Sequence, residues 1–265
     1  MKITSNGITL HVDDRGAGAP ALVFLHYWGG SSRTWRHVTT MLGHDFRTVA
    51  IDQRGWGQSE APSSDYSLAD LANDAVGVLE AIGLDRYILI GHSMGGKVAQ
   101  FLASRRPSGL AGLILVAPSP PSPLALPLAS REGMVGAYTT RERIIATVEH
   151  MLTANPLASE DLEVVVEDSL RGAPAAKVAW PLATSQEDIA NLVSRIEVPT
   201  LVISGTEDRV DPPAVLKQEL LPRIPQAELR LLPGIGHLSP LEAPSEVAVL
   251  IRKFAGSLPP GPSAR

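Results

Sequence analysis

The sequence predicts an α/β protein built on a mostly parallel sheet with helices on both faces, and three observations lead there. Short apolar, β-rich runs at residues 21–26, 47–51, 87–90, 110–117, 200–204 and 228–232 alternate with longer stretches of helical periodicity. Several runs are continuous hydrophobics, as in Leu22-Val23-Phe24-Leu25 and Leu113-Ile114-Leu115-Val116, the pattern of strands covered on both faces. Between residues 118 and 187 the alternation lapses, which reads as a helical cap inserted over the C-terminal edge of the sheet.

Taken in order, Ile3-Thr4 and residues 9–12 alternate in polarity around Asn6-Gly7, so the chain opens with an antiparallel hairpin at the sheet edge. With the six apolar runs this makes eight strands. Residues 68–82 place Leu71, Ala75, Val78, Leu79 and Ile82 on one helical face, and Gly83 follows as a stop signal. A helix-like segment, 97–104, follows the strand at 87–90. In the insertion a Pro/Ser/Leu stretch at 118–127 leads into helical patterns at 141–152 and 159–170. The Gly/Pro/Ser-rich segment 256–265 reads as a disordered tail. The expected division is a core of residues 1–117 and 188–255, a cap of 118–187 and that tail.

The 265 residues are 44% hydrophobic, enough for a buried core. A net charge of −5 without a long run of either sign leaves no electrostatic footprint for nucleic acid. No apolar stretch approaches the roughly 18 residues of a membrane span, and the polar-interrupted N-terminus lacks the apolar run of a signal peptide, so a cytoplasmic protein is expected. There are no cysteines, no H-x-x-x-H spacing, no phosphate loop and no G-x-G-x-x-G after a strand. Neither a metal nor a cofactor is expected.

Chemistry concentrates at strand ends. After the strand at 87–90 stands Gly91-His92-Ser93-Met94-Gly95, a G-x-S-x-G elbow between strand and helix, where a strained turn projects the Ser93 hydroxyl. A serine hydroxyl is a weak nucleophile at neutral pH and needs an imidazole to take its proton, while a carboxylate fixes that imidazole's tautomer. His237, between Gly236 and Leu238 on a late short loop, fits the base. Glu207, Asp208 and Asp211 all follow the 200–204 strand and compete for the acid; Asp211, ahead of Pro212-Pro213, has the look of a helix N-cap. An oxyanion needs two donors, and the backbone N–H groups of Met94 and Trp28 are placed to supply them. Tyr27, Trp28 and Trp180 are candidates to line a substrate pocket. His26 and His92 read as loop organisers; in the 52–59 loop, Asp52 and Arg54 read as backbone ligands and Trp56 as packing. His11, His37, His44 and His150 read as surface or helix residues.

Over residues 7–255 the chain resembles the α/β-hydrolase superfamily. The resemblance rests on the strand ending at His26, Asp52-Gln53-Arg54-Gly55 with Gly57 and Ser59, the elbow, Gly205-Thr206-Glu207-Asp208, and Gly236-His237 leading to Leu241-Glu242-Ala243-Pro244. It implies an eight-stranded sheet, the order serine, acid, histidine, and Asp208 as the acid, because the family places it in a G-x-x-D ending. The flavour is similar to the small bacterial esterase, enol-lactonase and carbon–carbon hydrolase branch, so the implied substrate is a small, largely apolar carboxylic ester or lactone. Hydrolysis of dienoic ketones, perhydrolysis or ligand reception by the same fold are the alternatives. One departure stands out: relatives carry His-Gly where this chain has His26-Tyr27.

Overall fold

The computed structural model describes residues 1–259. The Asn6-Gly7 turn produces the expected hairpin, β1 (Lys2–Ser5) antiparallel to β2 (Ile8–Arg15), with both turn residues at positive φ, 48° and 78°, as a tight two-residue turn requires. β3 (Ala21–Leu25) leads through a 3₁₀ turn to α1 (Arg36–Leu42), β4 (Thr48–Ile51) to α2 (Leu68–Ala81), and β5 (Tyr87–His92) directly to α3 (Met94–Ser104). After β6 (Leu110–Val116) come α4 (Leu128–Val135), α5 (Arg141–Thr147) with a π-turn continuing to Leu152, α6 (Ser159–Arg171) and α7 (Pro174–Leu182). The chain then returns to the sheet through β7 (Thr200–Gly205), α8 (Pro213–Glu219), β8 (Ala227–Leu232), α9 (Ser239–Glu242) and α10 (Pro244–Ser257).

The eight strands form one sheet in the order β1-β2-β4-β3-β5-β6-β7-β8. From β4 to β8 every pairing is parallel. Alternate side chains of the central strands feed two apolar layers: Val23, Leu25, Leu89 and Leu113 pack toward α2, α3 and α8, and Leu22, Phe24, Ile88 and Ile114 pack toward α1 and α10. α2 starts with a Ser67–Asp70 capping box and stops at Gly83, whose φ is 64°.

Residues 118–187 contain no strand, and their helices rest on the C-terminal ends of the core strands. At one side Ser31 donates to Asp168 (2.6 Å), Arg33 Nε donates to the same carboxylate (3.0 Å), and Arg36 and His37 pair with Asp161. At the other side Leu238 N–H donates to the Leu152 carbonyl (2.8 Å). Between them Tyr27, Trp28 and Trp56 from core loops meet Tyr138, Val165 and Trp180 from the insertion in a third apolar cluster.

The expected tail begins too early. Gly256 and Ser257 complete the last turn of α10, because Phe254 and Leu258 pack on the apolar layer beneath and hold that turn in place; residues 260–265 lie outside the described residues. Two of the expected surface histidines also have partners: His11, on β2, lies 3.0 Å from Asp52 through Nδ1, and His37 reaches Asp161 at 2.7 Å.

Candidate active site

The elbow takes its shape from the strand–helix junction. β5 ends at His92, α3 begins at Met94, and the residue between them, Ser93, has φ 53° and ψ −115°, a left-handed conformation that costs a non-glycine residue of order 1–3 kcal/mol. The flanking glycines make this close approach possible. A Cβ at Gly95 would stand 2.6 Å from the His26 carbonyl oxygen, and one at Gly91 would lie 2.7 Å from the Gly95 carbonyl carbon. The Ser93 carbonyl is held by Lys97 N–H and Ser119 N–H, both at 3.1 Å.

His237 sits on the loop between β8 and α9, and its Nδ1 lies 2.9 Å from Asp208 Oδ2, both side chains fully buried. Gly205, at the end of β7, brings the two loops together, since a Cβ there would lie 2.6 Å from the Gly236 carbonyl oxygen. Asp208 Oδ1 accepts from the N–H groups of Val210 (2.8 Å) and Asp211 (3.0 Å). Burial would raise the Asp208 carboxyl, but His237 and these two donors outweigh it and hold the carboxyl below its usual range. Burial in turn would lower His237, and the Asp208 carboxylate reverses that and holds the imidazole above its usual value. Asp208 therefore has the geometry of an orienting acid. Glu207 does not meet the imidazole.

His92 and His26 tie the loops together. His92 Nε2 stands 2.9 Å from the His237 carbonyl and, with burial and His237 pushing it down to about 3, donates as a neutral ring. His26 accepts from Gln53 N–H at Nε2 (3.0 Å), leaving Nδ1–H to donate to the Tyr27 carbonyl (2.7 Å). Asp52 accepts from the N–H groups of Ser32 and Gln58, as expected. Arg54 meets the expectation in part: it donates to the Asp65 carbonyl, but its main partner is the Asp74 carboxylate of α2, at 2.6 and 2.7 Å, since a buried guanidinium needs a compensating charge. In the sequence Glu242 stands only as one residue of the Leu241-Glu242-Ala243-Pro244 motif. Its Oε2 accepts from Gly236 N–H (3.0 Å) and its Oε1 from Ala154 and Asn155 N–H (both 2.9 Å), so it joins the histidine loop to the insertion.

Ser93 and His237 open into one cavity of about 810 Å³ between sheet and insertion, and Tyr27, Trp28 and Trp180 are all on its wall. Trp28 packs at a tilt against Tyr138 with ring centroids 4.4 Å apart, while Tyr27 lies 5.3 Å from His92 and its hydroxyl is buried without a hydrogen-bond partner among the described residues. Among the described residues neither the Trp28 N–H nor the Met94 N–H, at the first position of α3, is taken up by a protein acceptor. Asp211 is not the helix N-cap its sequence context suggested. Pro212 occupies that position with no side-chain cap, because Asp211 is instead buried on the cavity wall, accepting from Ser119 Oγ at 3.2 Å.

Comparison with known proteins agrees with this architecture. The chain is 27% identical to the AB hydrolase superfamily protein YisY of Bacillus subtilis, over 96% of this chain and 98% of that one. It is 30% identical to the non-heme chloroperoxidase of Streptomyces lividans, over 88% and 91%. The solved esterase of Exiguobacterium antarcticum superposes with a TM-score of 0.90 at 21% identity, covering 97% of this chain and 99% of that one. The model of the Alpha/beta hydrolase family matches residues 22–250, and this chain belongs to that family.

Proposed function

We propose that the protein is a serine hydrolase that cleaves a small, largely apolar carboxylic ester or lactone through an acyl-enzyme on Ser93. The observation that carries the reading is one cavity shared by a serine in a strained strand–helix turn and a histidine whose far nitrogen is bonded to a buried aspartate. His237 Nε2 accepts the hydroxyl proton as Ser93 Oγ attacks the substrate carbonyl. The tetrahedral oxyanion is received by the Trp28 and Met94 N–H groups, and the alcohol departs with the proton from His237. Water, deprotonated by the same imidazole, then releases the acid and restores Ser93. Asp208 stays ionised throughout and stabilises the imidazolium.

Residues 118–187 serve in this reading as a cap that closes the cavity and shapes the acyl pocket with Trp180, Met134 and Leu152. Tyr27 and Trp28 form the opposite wall. The apolar lining suits hydrocarbon acyl or alcohol groups, and the volume suits a small ligand.

A fluorophosphonate probe followed by peptide mapping tests the reading. The expected result is one label, on Ser93, together with repeated turnover of aryl esters or lactones. A label elsewhere, or a single round without turnover, would replace the enzyme reading by another site or by a ligand receptor. Rates on esters, lactones and dienoic ketones side by side separate ester from carbon–carbon bond hydrolysis.

A further inference from the structure

Polar groups interrupt the apolar lining of the cavity at several points, Arg209, Gln218 and Glu219 among them, and one of these points is buried. Asp211 is buried there, and the Ser119 hydroxyl that donates to its Oδ2 at 3.2 Å is on the same wall. That is the one hydrogen bond its carboxylate makes among the described residues, so on this cavity-lining residue Oδ1 has no protein donor. Both residues are fixed to the reacting centre through the backbone. Ser119 N–H donates to the Ser93 carbonyl (3.1 Å), and Asp211 N–H donates to Asp208 Oδ1 (3.0 Å).

The surroundings leave this carboxylate uncompensated. Lys97 is behind Ser119, but its Nζ donates to the carbonyls of Ser122 (2.9 Å) and Ser185 (3.2 Å) and not to Asp211. Burial and the neighbouring Asp208 push the Asp211 carboxyl up to about 7, against the opposing pull of His237, Ser119 and Lys97. A desolvated acceptor with an open oxygen is unfavourable in the free protein and gains most from a partner that arrives with the ligand.

We propose that Asp211 and Ser119 form a polar subsite in the cavity that receives a hydrogen-bond donor of the substrate, so that the preferred ester or lactone carries a hydroxyl or N–H group on an otherwise apolar body. The inference rests on Ser93 being the nucleophile. A substrate with the donor pairs Oδ1, whereas its hydrocarbon isostere buries that oxygen unpaired, and the difference enters the specificity ratio directly.

The test uses nitrophenyl esters of graded acyl length, each bearing one hydroxyl and each matched to the isostere with methyl in its place, with a second series carrying the hydroxyl on the alcohol. At one chain position the wild-type enzyme is expected to favour the hydroxyl ester by about tenfold to a hundredfold in kcat/KM. Asp211→Leu should bring that ratio close to one, and should Asp211→Leu fail to fold, Asp211→Asn should lower it severalfold. No preferred position in the wild type, or a preference that survives both substitutions, overturns the subsite. Fluorophosphonate labelling of the same preparations separates the two readings: labelled Ser93 without hydroxyl preference removes only the subsite, and an unlabelled wild type removes both.

Discussion

The cavity has two walls held by different physics. The sheet side is fixed by continuous apolar layers above and below β3, β5, β6 and β7, so the strand ends that present Ser93 and Asp208 have little room to shift. The insertion side is seated by an aromatic cluster and by a few charged clamps at its margins, and α4 buries none of its residues completely. Groups that must keep fixed geometry stand on the rigid wall. In the proposed reading Trp180, Met134 and Leu152 meet the ligand from the looser side, where substitution disturbs the fold least, and Asp211 and Ser119 meet it from the rigid one.

That contrast can be broken most directly at its rigid side. Ser93→Ala should lower kcat/KM for an aryl ester by roughly 10⁴-fold or more, with the thermal midpoint unmoved; comparable turnover in the variant removes Ser93 as nucleophile. Asp208→Asn should cost about 10³–10⁴-fold by leaving His237 the wrong tautomer, whereas Asp211→Asn should cost roughly tenfold or less on the same apolar ester. The reverse ordering would transfer the orienting role to Asp211.

The pH profile sharpens the assignment. Only the neutral imidazole can take the Ser93 proton, and Asp208 raises His237 despite its burial, so kcat/KM should climb with pH through a midpoint above about 6.5. In Asp208→Asn that midpoint should move down, since burial then acts without the compensating carboxylate. A midpoint that stays in place would mean that another group controls the limb. The smallest effect is expected at the insertion. Asp168→Ala removes the acceptor for Ser31 and Arg33, and with Arg33 partly exposed the loss should be about 1–2 kcal/mol, a fall in thermal midpoint of about 5 °C. KM should rise more than kcat falls, and equal changes in both would place the clamp in the chemistry and not in the seating of the insertion.

The rigid wall was also the readable one. Period and punctuation located β3 to β8, the Asn6-Gly7 hairpin and α2, because each is dictated by local burial and turn conformation. Residue type and order located Ser93 and His237. The acid needed a family resemblance, since three carboxylates follow β7 and only folding decides which one meets the imidazole. α7 escaped the periodicity because Pro181 interrupts its pattern, and α4 escaped because it buries no complete face. Asp211 is hidden for a related reason: a carboxylate before Pro-Pro looks like a cap, and nothing local reveals that Ser119, 92 positions earlier, will meet it in a cavity. The two orienting histidine bonds, from His92 to the His237 carbonyl and from Gln53 N–H to His26, likewise join segments far apart in the chain.

The junction at Glu242 bears on how this scaffold can be remodelled. One carboxylate grips the backbone of residues 154 and 155 with one oxygen and that of Gly236 with the other. Exchanging residues 118–187 for the equivalent segment of a relative would therefore reach the His237 loop, unless the incoming segment offers two free amides at the same place. A chimera that preserves that handshake should inherit a new specificity, and one that severs it should lose alignment of His237 before any substrate is met.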